Sequence, residues 1–316
     1  MPLNEPTLED RFVGCLFGLA IGDALGGKFE AQSPDAIRSR FPTSDHLIAY
    51  PDEEIWYTDD TQMAIGVCEA LLECGEIVED GLCRAFVVNY LPSRGYGRGA
   101  RAILDAMEDG QDHRAVAEHY FPGGSFGNGA AMRVAPVGLL FRDDLRRVHD
   151  QARLSALPTH LHPLGIEGAQ LLALAVARCT RGGPFDRAAF FAALLDACES
   201  PDYRAQLERA ARVESAGDLA AIGNNIDALH SVPTAIAGFA LTPESYEETI
   251  SNVIFLGGDT DTLAAMAGAL SGAYLGANRL PCRLIDLLES SPKGREYIRQ
   301  LAKALFSLYE KGRREP

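Results

Sequence analysis

Apolar residues recur along this chain at intervals of three and four. Leu8, Phe12, Leu16 and Leu19 fall on one face of a helix, with Thr7 and Asp10 spaced as a capping box at its start. Gly26-Gly27 supplies its stop. Met63, Val67, Ala70 and Leu71 form a second stripe, closed by Gly75. Residues 170–179 are apolar almost all round, which predicts a buried helix. The charged, alanine-rich stretch 204–216 predicts a surface helix. In 263–276 the small residues Ala264, Gly268, Gly272 and Gly276 recur every fourth position, a strip that lets a second helix approach closely.

Strand signals are weak. No series of alternating β-branched runs is present, and no Asn-Gly hairpin joins two such runs. Neither an internal repeat nor a Gly/Ser/Pro linker divides the chain. The pattern predicts an all-α fold, one compact single-domain multi-helix bundle over residues 1–316 with its core at about 10–310. Glycine-rich loops interrupt it at 95–99, 123–129 and 257–258.

Composition narrows the class. Hydrophobic residues make up 47%, enough to bury a sizeable core. The net charge of -15 argues against nucleic acid as partner, because phosphate binding needs clustered Lys and Arg. An anionic ligand would need local cations to reverse that field. The seven cysteines are scattered and contain no CxxC, so buried, reduced thiols are expected, not disulfides or zinc. The first residues have no secretory pattern, and the longest uncharged apolar run, 263–277, is too short and too rich in Gly and Ala to span a membrane. A cytoplasmic monomer is the expectation.

Two segments carry the chemistry. Tyr57-Thr58-Asp59-Asp60-Thr61 and Gly257-Gly258-Asp259-Thr260-Asp261-Thr262 each set two carboxylates among hydroxyls just ahead of a helical stripe. Adjacent Asp side chains within a regular helix diverge by about 100°; at a loop-to-helix junction they can converge on a hard cation such as Mg²⁺ or Mn²⁺. Gly257 and Gly258 permit the sharp backbone such a loop needs. Helix capping explains a single cluster of this kind equally well, but each has more acid than a cap uses. Glu30, in the glycine-rich turn after Asp23, is a third acid: a metal ligand, a general base or a solvated loop residue.

Other motifs admit two readings each. The loop Gly123-Gly124-Ser125-Phe126-Gly127-Asn128-Gly129 matches the GxSxG nucleophile elbow of α/β-hydrolases, which requires a preceding strand. It also matches an anion cradle of glycine-exposed N–H groups with Phe126 as a stacking face. Gly97, Gly99 and Ala102 have the phase of a dinucleotide fingerprint without the strand that belongs before it. His160 and His162 form an HxH pair lacking the further ligands zinc needs, so one contacts substrate or both are loop residues.

Taken together, these segments resemble the ADP-ribosylglycohydrolase family. The chain has in order a GDALG first helix (22–26), Thr58-Asp59-Asp60, a GNG loop running to Met132-Arg133, Thr159-His160, and GGDTDT at 257–262. The resemblance spans roughly residues 10–280, and GGDTDT is its most specific part. Arg94-Gly95-Tyr96-Gly97, Ser125 to Gly129 and Ser231 to Ile236 look like the ADP-ribosylhydrolase 3 branch. Two positions depart from that branch: Phe126 stands where Tyr is usual, and His162 where a small polar residue is usual.

The resemblance implies an all-α fold and a metal-dependent hydrolase acting at C1 of the distal ribose of ADP-ribosyl groups. Thr58, Asp59, Asp60, Asp259, Asp261 and Thr262 are then expected to bind two Mg²⁺ or Mn²⁺ ions, with Glu30, Asp60 and Asp261 as the catalytic acids. Gly97, Gly99, Ser125, Phe126, Gly127, Asn128 and His160 are expected to hold the ADP-ribose. The branch implies an O-linked substrate: ADP-ribosyl-serine, O-acetyl-ADP-ribose or short poly(ADP-ribose). Hydrolysis of N-linked ADP-ribosyl-arginine and non-catalytic ADP-ribose binding stay open as alternatives.

Overall fold

The computed structural model describes residues 5–314, so both ends of the expected 1–316 unit, residues 1–4 and 315–316, lie outside it. Among the described residues there are nineteen α-helices and two short 3-10 turns; β pairing is limited to two isolated bridges, Ile55 with Leu288 and Gly127 with Asp227. The all-α expectation holds, and the strand that an α/β-hydrolase elbow needs before Ser125 is replaced by the helix His113–Tyr120 and a turn.

At the centre lie two helices, Leu8–Gly26 and Thr260–Leu275, in antiparallel contact. The small residues on the later helix are matched by Gly14, Gly18, Gly22 and Gly26 on the earlier one. A Cβ added to Gly18 would lie 2.2 Å from the Gly268 carbonyl oxygen, and one on Gly14 would lie 2.4 Å from that of Gly272. On Gly22 it would meet the Ala264 oxygen at 2.1 Å, and on Gly26 the Thr260 oxygen at 2.3 Å. Main chain therefore rests on main chain over four successive turns, which buries both helices almost completely. This register sets the C-terminus of the first helix against the N-terminus of the second, where Asp259 and Asp261 stand. Thr260 seals the junction by donating its hydroxyl to the Gly26 carbonyl at 2.8 Å.

The helix Asp59–Cys74 packs against Glu79–Asn89 and Arg295–Arg314, and brings its own acidic N-terminus to the same place. On the other side, the buried helix read at 170–179 begins earlier, at Pro163, and packs on Leu145–Ala156 and Ala228–Leu241.

Three local expectations change. Thr7 caps the first helix by accepting from the Asp10 N–H at 3.1 Å, but the reciprocal half of the box is not made, because the Asp10 carboxylate accepts from the Asn278 N–H instead. The surface helix expected over 204–216 runs from Pro201 to Ala211. It stops because Asp218 takes the N–H groups of Glu214 and Ser215, at 3.1 and 2.8 Å, and starts a new cap there. The loop expected at 95–99 ends at Gly97, and Gly99 lies in the first turn of the helix Arg98–Glu108. No helix among the described residues is long and apolar enough to cross a membrane.

Candidate functional site

The acidic helix starts meet in a cavity of about 800 Å³, within the range of about 300–1,000 Å³ usual for small-molecule sites. Glu30, Asp59, Asp60, Asp259, Asp261 and Thr262 form one part of its wall. Gly97, Gly99, Ser125, Phe126, Gly127, Asn128 and His160 also line it. Thr58 does not; it is the N-cap residue of the helix Asp59–Cys74 and stands just behind the acids. A separate groove of about 440 Å³ beside the helices Leu145–Ala156 and Pro163–Cys179 contains none of these residues.

Each acid is held in place by the fold. The turn before Asp259 has positive φ at Gly257 and Gly258, 66° and 76°, the conformation expected of it. Asn224 clamps that turn, donating its side-chain amide to the carbonyls of Leu256 and Gly257 and accepting the Asp259 N–H at its own carbonyl. Asn128 donates its side-chain amide to Oδ2 of Asp259 at 2.5 Å. Oδ1 of Asp261 accepts from the Thr262 N–H at 2.8 Å. Asp60 is 1% exposed; its Oδ2 accepts from the Thr262 hydroxyl at 3.5 Å and lies 3.3 Å from the Thr58 hydroxyl oxygen.

Behind this wall lies Asp23, fully buried on the first helix. It accepts from the N–H and hydroxyl of Thr58, at 2.9 and 2.7 Å, and from those of Thr61, at 2.9 and 2.5 Å. Asp23 thus ties the first helix to the start of the helix Asp59–Cys74. The sequence reading gave it no role, although it stands inside the GDALG segment.

Burial raises every carboxyl here, and neighbouring acids add to it at Glu30, Asp59, Asp60 and Asp261. Burial, then the neighbouring Asp23, pushes Asp59 up to about 7. Burial, then Asp259, pushes Asp261 up to about 9. Asp60 is raised by burial and next by Asp23 and Asp261. Glu30, exposed at the cavity edge, is raised by burial of its carboxyl and by Asp259. Asp259 is raised by burial, against the bond from Asn128. Such acids cannot all ionise unless cations join them.

The donor set fits a hard divalent ion: carboxylate and hydroxyl oxygens, with Oδ1 of Asp60 buried and without a hydrogen-bond partner. Among the described residues no three His, Cys, Asp or Glu side chains already close around one point, so the acids line an open space and do not form a finished cage. Among the described residues no group of three His, Cys, Asp or Glu side chains that could hold a metal ion includes His160 or His162. His162 caps the helix Pro163–Cys179, accepting the Leu164 N–H at 3.1 Å, and packs on the Phe126 ring with centroids 5.4 Å apart.

The remaining wall is apolar and aromatic. Tyr120 and Phe126 are each 50% exposed and Ile226 71%, an unusual presentation of large apolar groups inside a cavity. Arg98 adds a positive charge. Tyr120 and Ile226 carried no motif by which the sequence could single them out, and Arg98, between Gly97 and Gly99, was given no role there. The cradle of N–H groups is narrower than the glycine content of 123–129 suggests. Gly127 N–H goes to the Ser125 hydroxyl at 3.2 Å, Asn128 N–H to the Ile226 carbonyl at 2.9 Å, and Gly124 N–H to the Phe121 carbonyl at 2.7 Å. Gly99 serves packing, since a Cβ there would strike the Phe121 ring at 2.3 Å.

Comparison with known proteins identifies the family and the fold. The ADP-ribosylglycohydrolase family profile matches residues 4–315. The chain is 33% identical to "ADP-ribosylhydrolase ARH3" of Homo sapiens, over 95% of this chain and 94% of that protein, which bears out the branch resemblance. It is 31% identical to "Uncharacterized protein YegU" of Escherichia coli K12, over 86% of this chain and 89% of that protein. A solved structure titled "ADP-ribosylglycohydrolase-related protein complex" superposes with a TM-score of 0.74 at 26% identity, covering 97% of this chain and 100% of that one. The chain belongs to the ADP-ribosylglycohydrolase family.

Proposed function

We propose that this ADP-ribosylhydrolase cleaves the bond at C1 of the distal ribose of O-linked ADP-ribosyl groups, with two Mg²⁺ or Mn²⁺ ions seated among its acids. The observation that carries the metal reading is the partnerless, buried Oδ1 of Asp60 in the midst of carboxyls that all resist ionisation. Asp59, Asp60, Asp259 and Asp261, with the hydroxyls of Thr58 and Thr262, would hold the ions. Once bound, divalent cations supply Lewis acidity and offset the negative field that would otherwise repel a diphosphate.

The chain's own residues account for the rest. Asn128 fixes the orientation of Asp259. Glu30 would accept a proton from water, a role supported by its raised carboxyl at the cavity edge. In the reaction the water oxygen bonds to C1, the glycosidic C–O bond breaks, and the leaving oxygen departs with a proton; positioning of the ribose counts for much of the rate because the transition state is oxocarbenium-like. The half-exposed rings of Tyr120 and Phe126 suit the adenine, and Arg98 suits the diphosphate. The O-linked preference rests on the branch resemblance of 94–97, 125–129 and 231–236.

Release assays decide the linkage. A serine-ADP-ribosylated peptide and an arginine-ADP-ribosylated protein are each incubated with the chain and Mg²⁺, before and after chelation. The serine conjugate is expected to release ADP-ribose, chelation to stop it, and the arginine conjugate to persist. Turnover of the arginine conjugate alone would overturn the O-linked assignment. ADP-ribose binding with no turnover of either conjugate would make the chain a binder.

A further inference from the structure

The buried guanidinium of Arg133 is 1% exposed, and among the described residues no acid pairs with it. Its Nη2 donates to the Ser155 carbonyl at 2.8 Å and to the Thr159 hydroxyl oxygen at 2.9 Å, and its plane faces the Phe86 ring at 4.7 Å. A buried cation without a counter-charge is costly, so its position asks for a reason. The next group along supplies one: Oγ1 of Thr159 lies 2.7 Å from Nδ1 of His160, which lines the cavity.

The direction of each hydrogen bond follows from what each group can do. An arginine only donates, so the Thr159 oxygen accepts from it. The hydroxyl hydrogen of Thr159 has no other acceptor among the described residues, so it goes to Nδ1 of His160. The imidazole is neutral, pushed down to about 3 by burial and by Arg133. A neutral ring that accepts at Nδ1 carries its hydrogen on Nε2. Nε2 has no hydrogen-bond partner among the described residues and faces the bare loop of Gly127 and Gly129, where added Cβ atoms would lie 3.6 and 3.3 Å from it. Gly165 holds the other edge of the ring, 3.4 Å from where its own Cβ would be.

We infer that Arg133 and Thr159 are positioning residues that lock His160 in its Nε2–H form, so that the ring presents a donor to an oxygen of the ligand and not a lone pair. The inference rests on the reading that this cavity takes an ADP-ribosyl ligand, rich in phosphate and hydroxyl oxygens. The opposite tautomer would set a nitrogen lone pair against those oxygens.

The test is NMR of the imidazole nitrogens in the full-length, metal-free chain near neutral pH, with the His160 signal assigned by its loss in His160→Gln. A pyrrole-type Nε2 and a pyridine-type Nδ1 are expected in the wild type and in Thr159→Ser. In Thr159→Val the ring is expected to shift toward the Nδ1–H form and the Kd for ADP-ribose, measured with Mg²⁺ present, to rise about tenfold, with some loss of thermal stability because Arg133 loses an acceptor. A wild-type ring that is Nδ1–H or doubly protonated overturns the inference, as does a Thr159→Val ring, or affinity, identical to wild type. If wild-type protein fails to bind ADP-ribose with Mg²⁺ present, the ligand reading falls instead, and the ring measurement alone decides the relay.

Discussion

Asn128 and Asp259, 131 positions apart in sequence, are joined by a 2.5 Å bond from the amide of one to the carboxylate of the other. The glycine loop and the acid loop are thus one unit, and Asn128 aims an acid; it does not simply wait for a phosphate. Asn128→Ala is expected to weaken Mn²⁺ binding and lower kcat/KM by about 10–100-fold, as removal of an outer partner of a metal ligand commonly does. Calorimetric titration with Mn²⁺ alongside the release assay checks this; unchanged metal affinity would detach Asn128 from the seat.

Asp261 gives a prediction with a definite sign. Its carboxyl is raised from 3.8 to about 9, by burial and then by Asp259. A carboxyl whose value rises on folding binds its proton more tightly in the folded chain, so the stability it contributes declines as pH climbs between those two values. Asp261→Asn removes that decline. In the presence of chelator, the Tm of the variant is expected to gain on wild type steadily from about pH 5 to about pH 8. Mn²⁺ is expected to raise the Tm of wild type much more than that of the variant, and the variant to lose more than about a hundredfold in turnover. A variant that keeps full activity contradicts the proposed seat.

The central helix pair can be probed by a single methyl. Gly18→Ala places a Cβ 2.2 Å from a carbonyl oxygen that belongs to rigid backbone, so the two helices must part. Overpacking of this kind costs about 1–3 kcal/mol or more. Chemical denaturation is expected to show at least that loss, with metal affinity falling alongside because the acids move apart. Ala substitution at Gly183, whose added Cβ meets nothing within 4 Å but whose φ is 77°, separates backbone strain from helix separation.

Tyr120 and Phe126 should act on binding and not on chemistry. Stacking of a base on an aromatic ring is worth about 1–3 kcal/mol by alanine substitution. Tyr120→Ala and Phe126→Ala are each expected to raise KM about tenfold or more with kcat little altered. A fall in kcat at constant KM would remove the rings from the adenine.

Much of this was legible from residue types alone. The acid clusters announce themselves because four carboxylates at two helix starts exceed any capping need, and the small-residue strip at 264–276 announces a close helix partner. The partner's strip, Gly14 to Gly26, repeats at the same interval, yet nothing in a linear pattern pairs two stripes some 250 positions apart. Asn224 was invisible because one asparagine in a loop has no periodicity to betray the three bonds it makes. Glycine content overstated the cradle at 123–129, since composition cannot reveal that the Gly127 and Asn128 N–H groups are already engaged. Residues 204–216 read as one helix because propensity is local, whereas Asp218 reaches back to cap against it.

The four-level contact between Leu8–Gly26 and Thr260–Leu275 has one more implication. Side chains can swing between rotamers, but peptide groups pressed on peptide groups cannot, so the span from Asp23, which anchors the start of the helix Asp59–Cys74, to Asp259 and Asp261 is fixed like the jaws of a locked caliper. Adaptation of this enzyme to new ligands must therefore happen in the rim of rings and arginine, while the spacing of the acids stays the same.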